Sequence, residues 1–463
     1  MPAPPDLSNL DREHLIRLVV ELAKRVEDLQ KQVEELQKRN EELRRNQKRS
    51  AAPFSKGKGK PNPKRPGRKP GQGPFQRRKQ PEASPPNTPP VDVPVEETIC
   101  PLCGGRLEPD GEETVSHTDM PPRPEPETRL YRVHLCRCQQ CRQRFRGRHP
   151  EVAPDQYGAT AHRVGPRLKA MAHALHYGYG VPVRKVPDIV REWTGIGLTQ
   201  SALTQDALKR ARTGTVGARY RQLRGQVRQA PVTYTDDTGW RVGGQPAYLM
   251  GFDTDTETVY QVRRQHGHRQ VMEMIPADYA GVLVTDRGPS YEAKALRQVE
   301  QSKCLAHLLR NVTEVVETKH GAAQRFGSRL KDILKRGNQL WRDFQAGQVT
   351  DLAEPAAAIK EELKKHLRHR RLRDPDNQRL LDTIGLQSDQ GRVLLFLDRP
   401  EVEPTSNRAE RALRPAVIAR KVSHCSKTEG GAEAYTAFHS VLQTAKKAGI
   451  SFTHSLIQIF GVQ

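Results

Sequence analysis

Aromatic residues, cysteines, acidic residues and long apolar runs are all scarce in this chain of 463 residues, and each shortage excludes something. Aromatics make up 5% of the sequence. Large stacking platforms for single-stranded nucleic acid are therefore not favoured. No stretch approaches the roughly 18 apolar residues of a spanning helix. The start, Met1-Pro-Ala-Pro-Pro-Asp6, has no signal-peptide character. Membrane insertion and export are not expected, and a cytoplasmic location is. Seven cysteines are too few and too clustered for a secreted disulfide scaffold. Acidic residues number 54 against 77 Lys and Arg, a surplus of +23. That balance favours a polyanionic partner, either a nucleic acid or an acidic membrane surface.

What is present divides the chain into several segments. Leu15, Leu22, Leu29, Leu36 and Leu43 fall on one heptad position, and Val19, Val26, Val33 and Asn40 on another. Leucine at d with β-branched residues at a favours a parallel two-stranded coil, and one buried Asn fixes its register. Ser8 and Asp11 resemble a capping box for this helix. Residues 8–46 are expected to form a leucine-zipper coiled coil that joins two chains or more. From Arg44 to Lys79 there is no Asp or Glu, and Pro and Gly punctuate a run of Lys and Arg. No core forms from such a composition, so residues 47–95 read as a basic disordered linker that tracks phosphates.

Two Cys-x-x-Cys knuckles follow, Cys100-Pro-Leu-Cys103-Gly-Gly and Cys138-Gln-Gln-Cys141. Paired knuckles make a tetrahedral thiolate site for zinc, and four protein ligands make it structural rather than catalytic. Cys136 and His134 lie close enough to compete for the fourth position. Residues 96–146 are thus expected to be a zinc-binding module. Residues 155–215 read as helices with a glycine turn at Gly195 to Gly197. The last is rich in Gln, Ser, Thr, Lys and Arg, a helix-turn-helix-like pattern for DNA.

Three carboxylates then end recognisable local patterns. Asp236 closes Pro231-Val-Thr-Tyr-Thr-Asp236, and Asp286 closes Gly281-Val-Leu-Val-Thr-Asp286. Both runs read as short strands that end at the aspartate. Glu410, in Ser406-Asn407-Arg408-Ala409-Glu410-Arg411, reads as the first turn of a helix. Val232, Tyr234 and Asp236 share one strand face, which favours Asp236 over Asp237. Hard divalent cations take oxygen ligands, and two of them can clamp a phosphodiester exchange. The three carboxylates are therefore expected to hold magnesium or manganese and to be catalytic. The region between Asp286 and Glu410 is helical in pattern: Leu330, Leu334, Trp341 and Phe344 fit one helix face, and Ile359, Leu363 and Leu367 another.

These segments together resemble the large transposases of the insertion-sequence family numbered 66. The resemblance runs through the zipper, the basic linker, the knuckles, the strand Asp236-Asp-Thr-Gly-Trp240, Cys304-x-x-His307, the Asn407-x-x-Glu410-Arg411 helix and the tail Gly430-Gly-Ala-Glu433. Two positions depart from it: the family has glutamate where Asp237 stands and an Asn-Asn pair where Ser406-Asn407 stands. The resemblance implies a multidomain α/β protein. Its ribonuclease-H-like catalytic core would occupy residues 228–303 and 396–463, with a helical insertion at 304–395. It also implies an Asp-Asp-Glu triad at Asp236, Asp286 and Glu410, and binding of terminal inverted repeats. Metal-dependent cleavage would be followed by strand transfer to target DNA. Implied partners are transposon ends, target DNA, further copies of the chain and small accessory proteins, with residence at the bacterial nucleoid. That chemistry needs no thiol, so Cys304, His307 and Cys425 read as packing residues. Rival readings are an inactive DNA-binding regulator and a nuclease without strand transfer.

Overall fold

The computed structural model describes residues 12–48, 91–112, 126–152, 156–157 and 164–461. The chain divides into two units, Met1–Asp119 and Met120–Gln463. In the first, helix α1 spans Arg12–Lys48. Val19, Leu22, Val26, Leu29, Val33 and Leu36 on it are each at least 50% exposed, so its apolar stripe faces solvent. Ser8, Asp11 and most of the basic linker lie outside the described residues, as do the side chains of Leu15, Asn40 and Leu43.

The second unit begins with a hairpin of β1 (Leu135–Arg137) and β2 (Arg144–Arg146). Four helices follow: α2 (Pro166–His173, continued by a π turn to Gly178), α3 (Val186–Thr194), α4 (Gln200–Arg212) and α5 (Thr215–Gln229). Local chemistry sets their ends. Pro187 sits in the first turn of α3, and Gly195 ends it at φ 73°, a left-handed conformation that glycine adopts without strain. Thr199 caps α4 by accepting from the Ala202 N–H at 3.1 Å. Ala172, Val186, Val190, Leu198 and Leu203 close a small core among α2, α3 and α4. Asp206 is buried beside it. Burial alone would raise its pKa, but hydrogen bonds from His173 at 2.8 Å and Arg210 at 2.8 Å outweigh that and hold it ionised.

A five-stranded mixed sheet follows: β3 (Val232–Val242), β4 (Gln245–Asp253), β5 (Thr258–Arg263), β6 (Val282–Thr285) and β7 (Glu300–Lys303), with the short α6 (His268–Met272) between β5 and β6. The order across it is β5-β4-β3-β6-β7. The first three strands form an antiparallel meander, and β6 and β7 run parallel to β3. Helices α7 (Leu305–Glu317), α8 (Gly321–Gln345), α9 (Ala353–His366) and α10 (Pro375–Asp389) then separate β7 from α11 (Asn407–Ser423), α12 (Glu429–Lys447) and α13 (Phe452–Ile459).

Strand alternation gives the sheet two apolar faces. Val232 and Tyr234 of β3 and Val282 and Val284 of β6 pack with Leu305, Leu308, Leu330, Leu334 and Leu363 of α7 to α9. Leu283, Met250, Phe252 and Tyr260 share the other core with Leu223 of α5 and Phe438, Val441 and Leu442 of α12. Cys425 packs against this second core. Among the described residues no helix is long and apolar enough to cross a membrane.

One expectation needs correcting. Strand β3 does not end at Asp236 but continues through both aspartates to Val242. The reason is its hairpin partner, since β4 pairs with it from Val242↔Gln245 back to Tyr234↔Asp253. What stops is the parallel pairing on the other edge, whose last partners are Tyr234↔Val284.

Candidate active site

The end of that parallel pairing is where two of the carboxylates meet. β6 finishes at Thr285, so Asp286 follows its last residue, and Asp236 lies two residues past the last β3–β6 pair. Asp286 Oδ1 accepts from the Gly288 N–H at 2.8 Å, which turns the chain away from the sheet. Asp236 Oδ1 accepts from the Asp237 N–H at 2.9 Å.

Glu410 stands in the first turn of α11, as the sequence pattern predicts. This helix lies over β3 and β4, and one glycine sets its approach. Gly251 pairs directly with Asp236, so the two share a face. A Cβ on Gly251 would come within 3.1 Å of Leu413 Cδ2. Leu413 sits one turn after Glu410 on the same helix side, so a bare glycine opposite Asp236 lets this part of α11 settle close.

Two further contacts hold the start of α11. Cys304 N–H donates to Thr285 O at 2.8 Å, while its Sγ accepts from the Ser406 N–H at 3.2 Å. This buried thiol therefore ties the end of β6 to the start of the Glu410 helix, a positional role beyond packing. Arg408 reaches Asp255 at 2.6 Å, the Thr254 carbonyl at 2.9 Å and Asp253 at 3.5 Å, and lies 5.0 Å over the Tyr234 ring. Gly251 and Arg408 carried no signal in the sequence, because each acts only through a partner far along the chain.

The electrostatics show how near the carboxylates are. Burial pushes the Asp236 carboxyl up to about 6, and the charges of Asp237, Glu410 and Asp286 push the same way. Among the described residues none of Asp236, Asp286 and Glu410 pairs with a Lys or Arg. Asp237 differs. It alternates to the opposite face, across from Met250, and stands 3.2 Å from His266 Nε2. Burial and Asp286 raise its pKa while His266 opposes them. The structure thus brings Asp286 and Glu410 within electrostatic reach of Asp236 and gives Asp237 a partner of its own.

Among the described residues no group of three His, Cys, Asp or Glu side chains is already arranged to hold a metal ion. The donor chemistry nevertheless fits a hard divalent cation: three carboxylates that supply oxygen donors and, among the described residues, have no Lys or Arg in ion-pair contact. A cavity of about 410 Å³ lined by Tyr177, Phe452, Pro415 and Ile418 contains none of the three.

The cysteine knuckles lie in different units. Around the first, Ile99 bridges Arg106, Cys100 N–H donates to Gly105 O at 2.8 Å and Gly104 N–H to Cys100 O at 2.9 Å. Backbone N–H groups of Leu102 and Cys103 turn toward the Cys100 sulfur and lower its pKa. The second repeats this at the tip of the β1–β2 hairpin. There Arg142 adopts φ 59°, and backbone and side chain of Cys141 lower the pKa of Cys138. Cys136, on β1 opposite Phe145, and His134 are both exposed.

A sequence profile described as the transposase IS66 family matches residues 161–434, more than half of the chain and all three carboxylates. A search of curated proteins found no match.

The raised carboxyl leads to a measurable outcome. With its folded-state pKa at about 6 against an ordinary 3.8, Asp236 binds its proton more tightly in the folded protein than in the unfolded chain. That contribution to stability is complete below about pH 4 and is lost as pH rises through about 6. At pH 8 ionised Asp236 costs on the order of 3 kcal/mol. Asp236→Asn is expected to stabilise the metal-free protein at pH 8 by up to that amount and to change little at pH 4. Urea denaturation of both proteins in EDTA measures this. Equal stability at both pH values would show that the carboxylate is not under such strain.

Proposed function

The chain belongs to the IS66 transposase family, and from that premise we propose that it cuts and joins DNA at Asp236, Asp286 and Glu410. The observation that carries this reading is that Asp236 of β3, buried and with its carboxyl pushed up, lies within electrostatic reach of Asp286 at the end of β6 and of Glu410 in the first turn of α11. Three antiparallel strands continued by two parallel ones, with helices on both faces, support a ribonuclease-H-like core. Helices α7 to α10 then form its insertion.

Asp236, Asp286 and Glu410 would hold magnesium or manganese. When bound, such ions activate an oxygen nucleophile and neutralise the phosphate under attack. The protein's own part is placement. β3 and β6 fix two carboxylates on one sheet face, and α11 brings the third. Arg411 and Arg414, exposed on the next turns of α11, supply positive charge for the DNA backbone. Water serves as nucleophile for cleavage and the freed 3′-hydroxyl for joining, so no covalent protein–DNA link is formed.

The other segments fit an end-pairing protein. The solvent-facing stripe of α1 supports self-association as a coiled coil. Each knuckle, with N–H groups turned to its first sulfur, supports a thiolate role in structural zinc binding for Cys100, Cys103, Cys138 and Cys141. Helix α4 presents Gln200, Ser201, Thr204, Gln205 and Lys209 to solvent, which supports a DNA-reading role for residues 155–215.

Purified protein incubated with a labelled element end, magnesium and a target plasmid is expected to give cut and joined products. Alanine at Asp236, Asp286 or Glu410 should reduce both by more than the roughly 100-fold that loss of an outer-shell partner costs. End binding should persist, and Asp237→Ala should be milder. Cut but unjoined products would favour a nuclease, and end binding without cutting a regulator. Substantial cleavage by Asp286→Ala would refute the assignment of that residue.

Elemental analysis should find about one zinc per chain. Cys100→Ser or Cys138→Ser should lose it, and sedimentation should find at least a dimer. A folded zinc-free protein, or a monomer at micromolar concentration, would remove the corresponding module from the account.

A further inference from the structure

Strand β7 reads Glu300-Gln-Ser-Lys303, yet Gln301, Ser302 and Lys303 are all buried. Lys303 is 0% exposed. An ammonium in such a place costs several kcal/mol unless its donors are satisfied, and an apolar residue of similar size is often no worse for stability. The contacts of Lys303 therefore indicate what the charge is for.

Its Nζ lies 2.8 Å from Gln301 Oε1 and 2.5 Å from Glu292 Oε1. Glu292 is itself held by Arg392 at 3.1 Å and Gln387 at 3.1 Å. The remaining contacts converge on one peptide. Nζ donates to Thr285 Oγ1 at 3.1 Å and to the Asp286 carbonyl at 3.4 Å, and Thr285 Oγ1 donates to the same carbonyl at 2.7 Å. On the other side, the Asp286 carboxylate is held by Gly288 N–H. Asp286 is thus gripped at its backbone by a buried cation and at its side chain by the turn that follows.

We propose that Lys303 is a positioning residue: anchored by Glu292 and Gln301, it clamps the Asp286 carbonyl, directly and through the Thr285 hydroxyl, and holds the Asp286 carboxylate ready for a divalent cation. The inference rests on the reading of Asp286 as a metal ligand. A buried positive charge beside the cluster also offsets part of the repulsion among the three carboxylates before a cation arrives. A buried ion pair that merely stabilised the sheet would have no need of the hydroxyl and carbonyl of the neighbouring strand end.

The test is manganese binding to the full-length protein without DNA, followed by electron paramagnetic resonance, with thermal melting measured in parallel. Lys303→Met with Glu292→Gln removes the ammonium without leaving its counter-charge unpaired, and the introduced amide can still meet Arg392 and Gln387. Thr285→Val keeps the ion pair and the volume but removes the hydroxyl that links the ammonium to the Asp286 carbonyl. In whichever of these melts near wild type, the manganese concentration at half-saturation should rise, by roughly tenfold for the double variant. Asp286→Asn serves as the reference and should weaken binding further. Unchanged binding in both Lys303 and Thr285 variants, with Asp286→Asn impaired, would overturn the role of Lys303 and leave the site intact. Unchanged binding in Asp286→Asn would overturn the reading of the site, and with it this inference.

Discussion

Like charges brought together out of water repel, and much of the architecture around β3 works against that repulsion. Asp236, Asp286 and Glu410 come from three elements far apart in sequence, and among the described residues no Lys or Arg side chain pairs with them. They stay together because their elements are locked by contacts outside the carboxylates themselves. The parallel pairing of β6 with β3 holds the two aspartates, and Leu413 against Gly251 holds the third carboxylate. Cys304 bridges the backbone of Thr285 and Ser406. Such a site stores a few kcal/mol of unfavourable electrostatics, which a hard divalent cation relieves.

The same constraint separates the two adjacent aspartates. Asp236 and Asp237 are neighbours of identical chemistry on one strand, yet the pleat sends them to opposite faces. Asp237 gains His266, whereas Asp236 faces the other carboxylates. Position on the pleat, not residue type, sets which of the two has His266 as a partner. Away from the site, the chain's +23 charge, the exposed stripe of α1 and the two cysteine knuckles suit a protein that gathers DNA and further copies of itself.

Local patterns in the sequence reached some of this and not the rest. Alternation of Val232, Tyr234 and Asp236 was enough to put the three on one strand face and Asp237 on the other, because strand parity is a local property. Glu410 in the first turn of α11 was equally legible, as was the helical stretch after β7, where Leu330, Leu334 and Leu363 are buried. The end of β3 was misplaced, because its length is set by pairing with β4 rather than by its own residues. Gly251 and Lys303 lie outside every functional pattern read from the sequence, and Arg408 is one residue of a motif. Each acquires meaning only from a contact with a distant segment: Gly251 with Leu413, Arg408 with Asp255 and Thr254, Lys303 with Glu292 and Asp286. Periodicity cannot report such contacts.

The central claim is that the three carboxylates form one cation site. Its most direct measurement is anomalous diffraction from crystals of the protein grown with an element end and manganese. The account predicts anomalous density bounded by Asp236, Asp286 and Glu410, and none at Asp237. Manganese bound at Asp237 and His266 instead, or no density between the three carboxylates at saturating manganese, would contradict it.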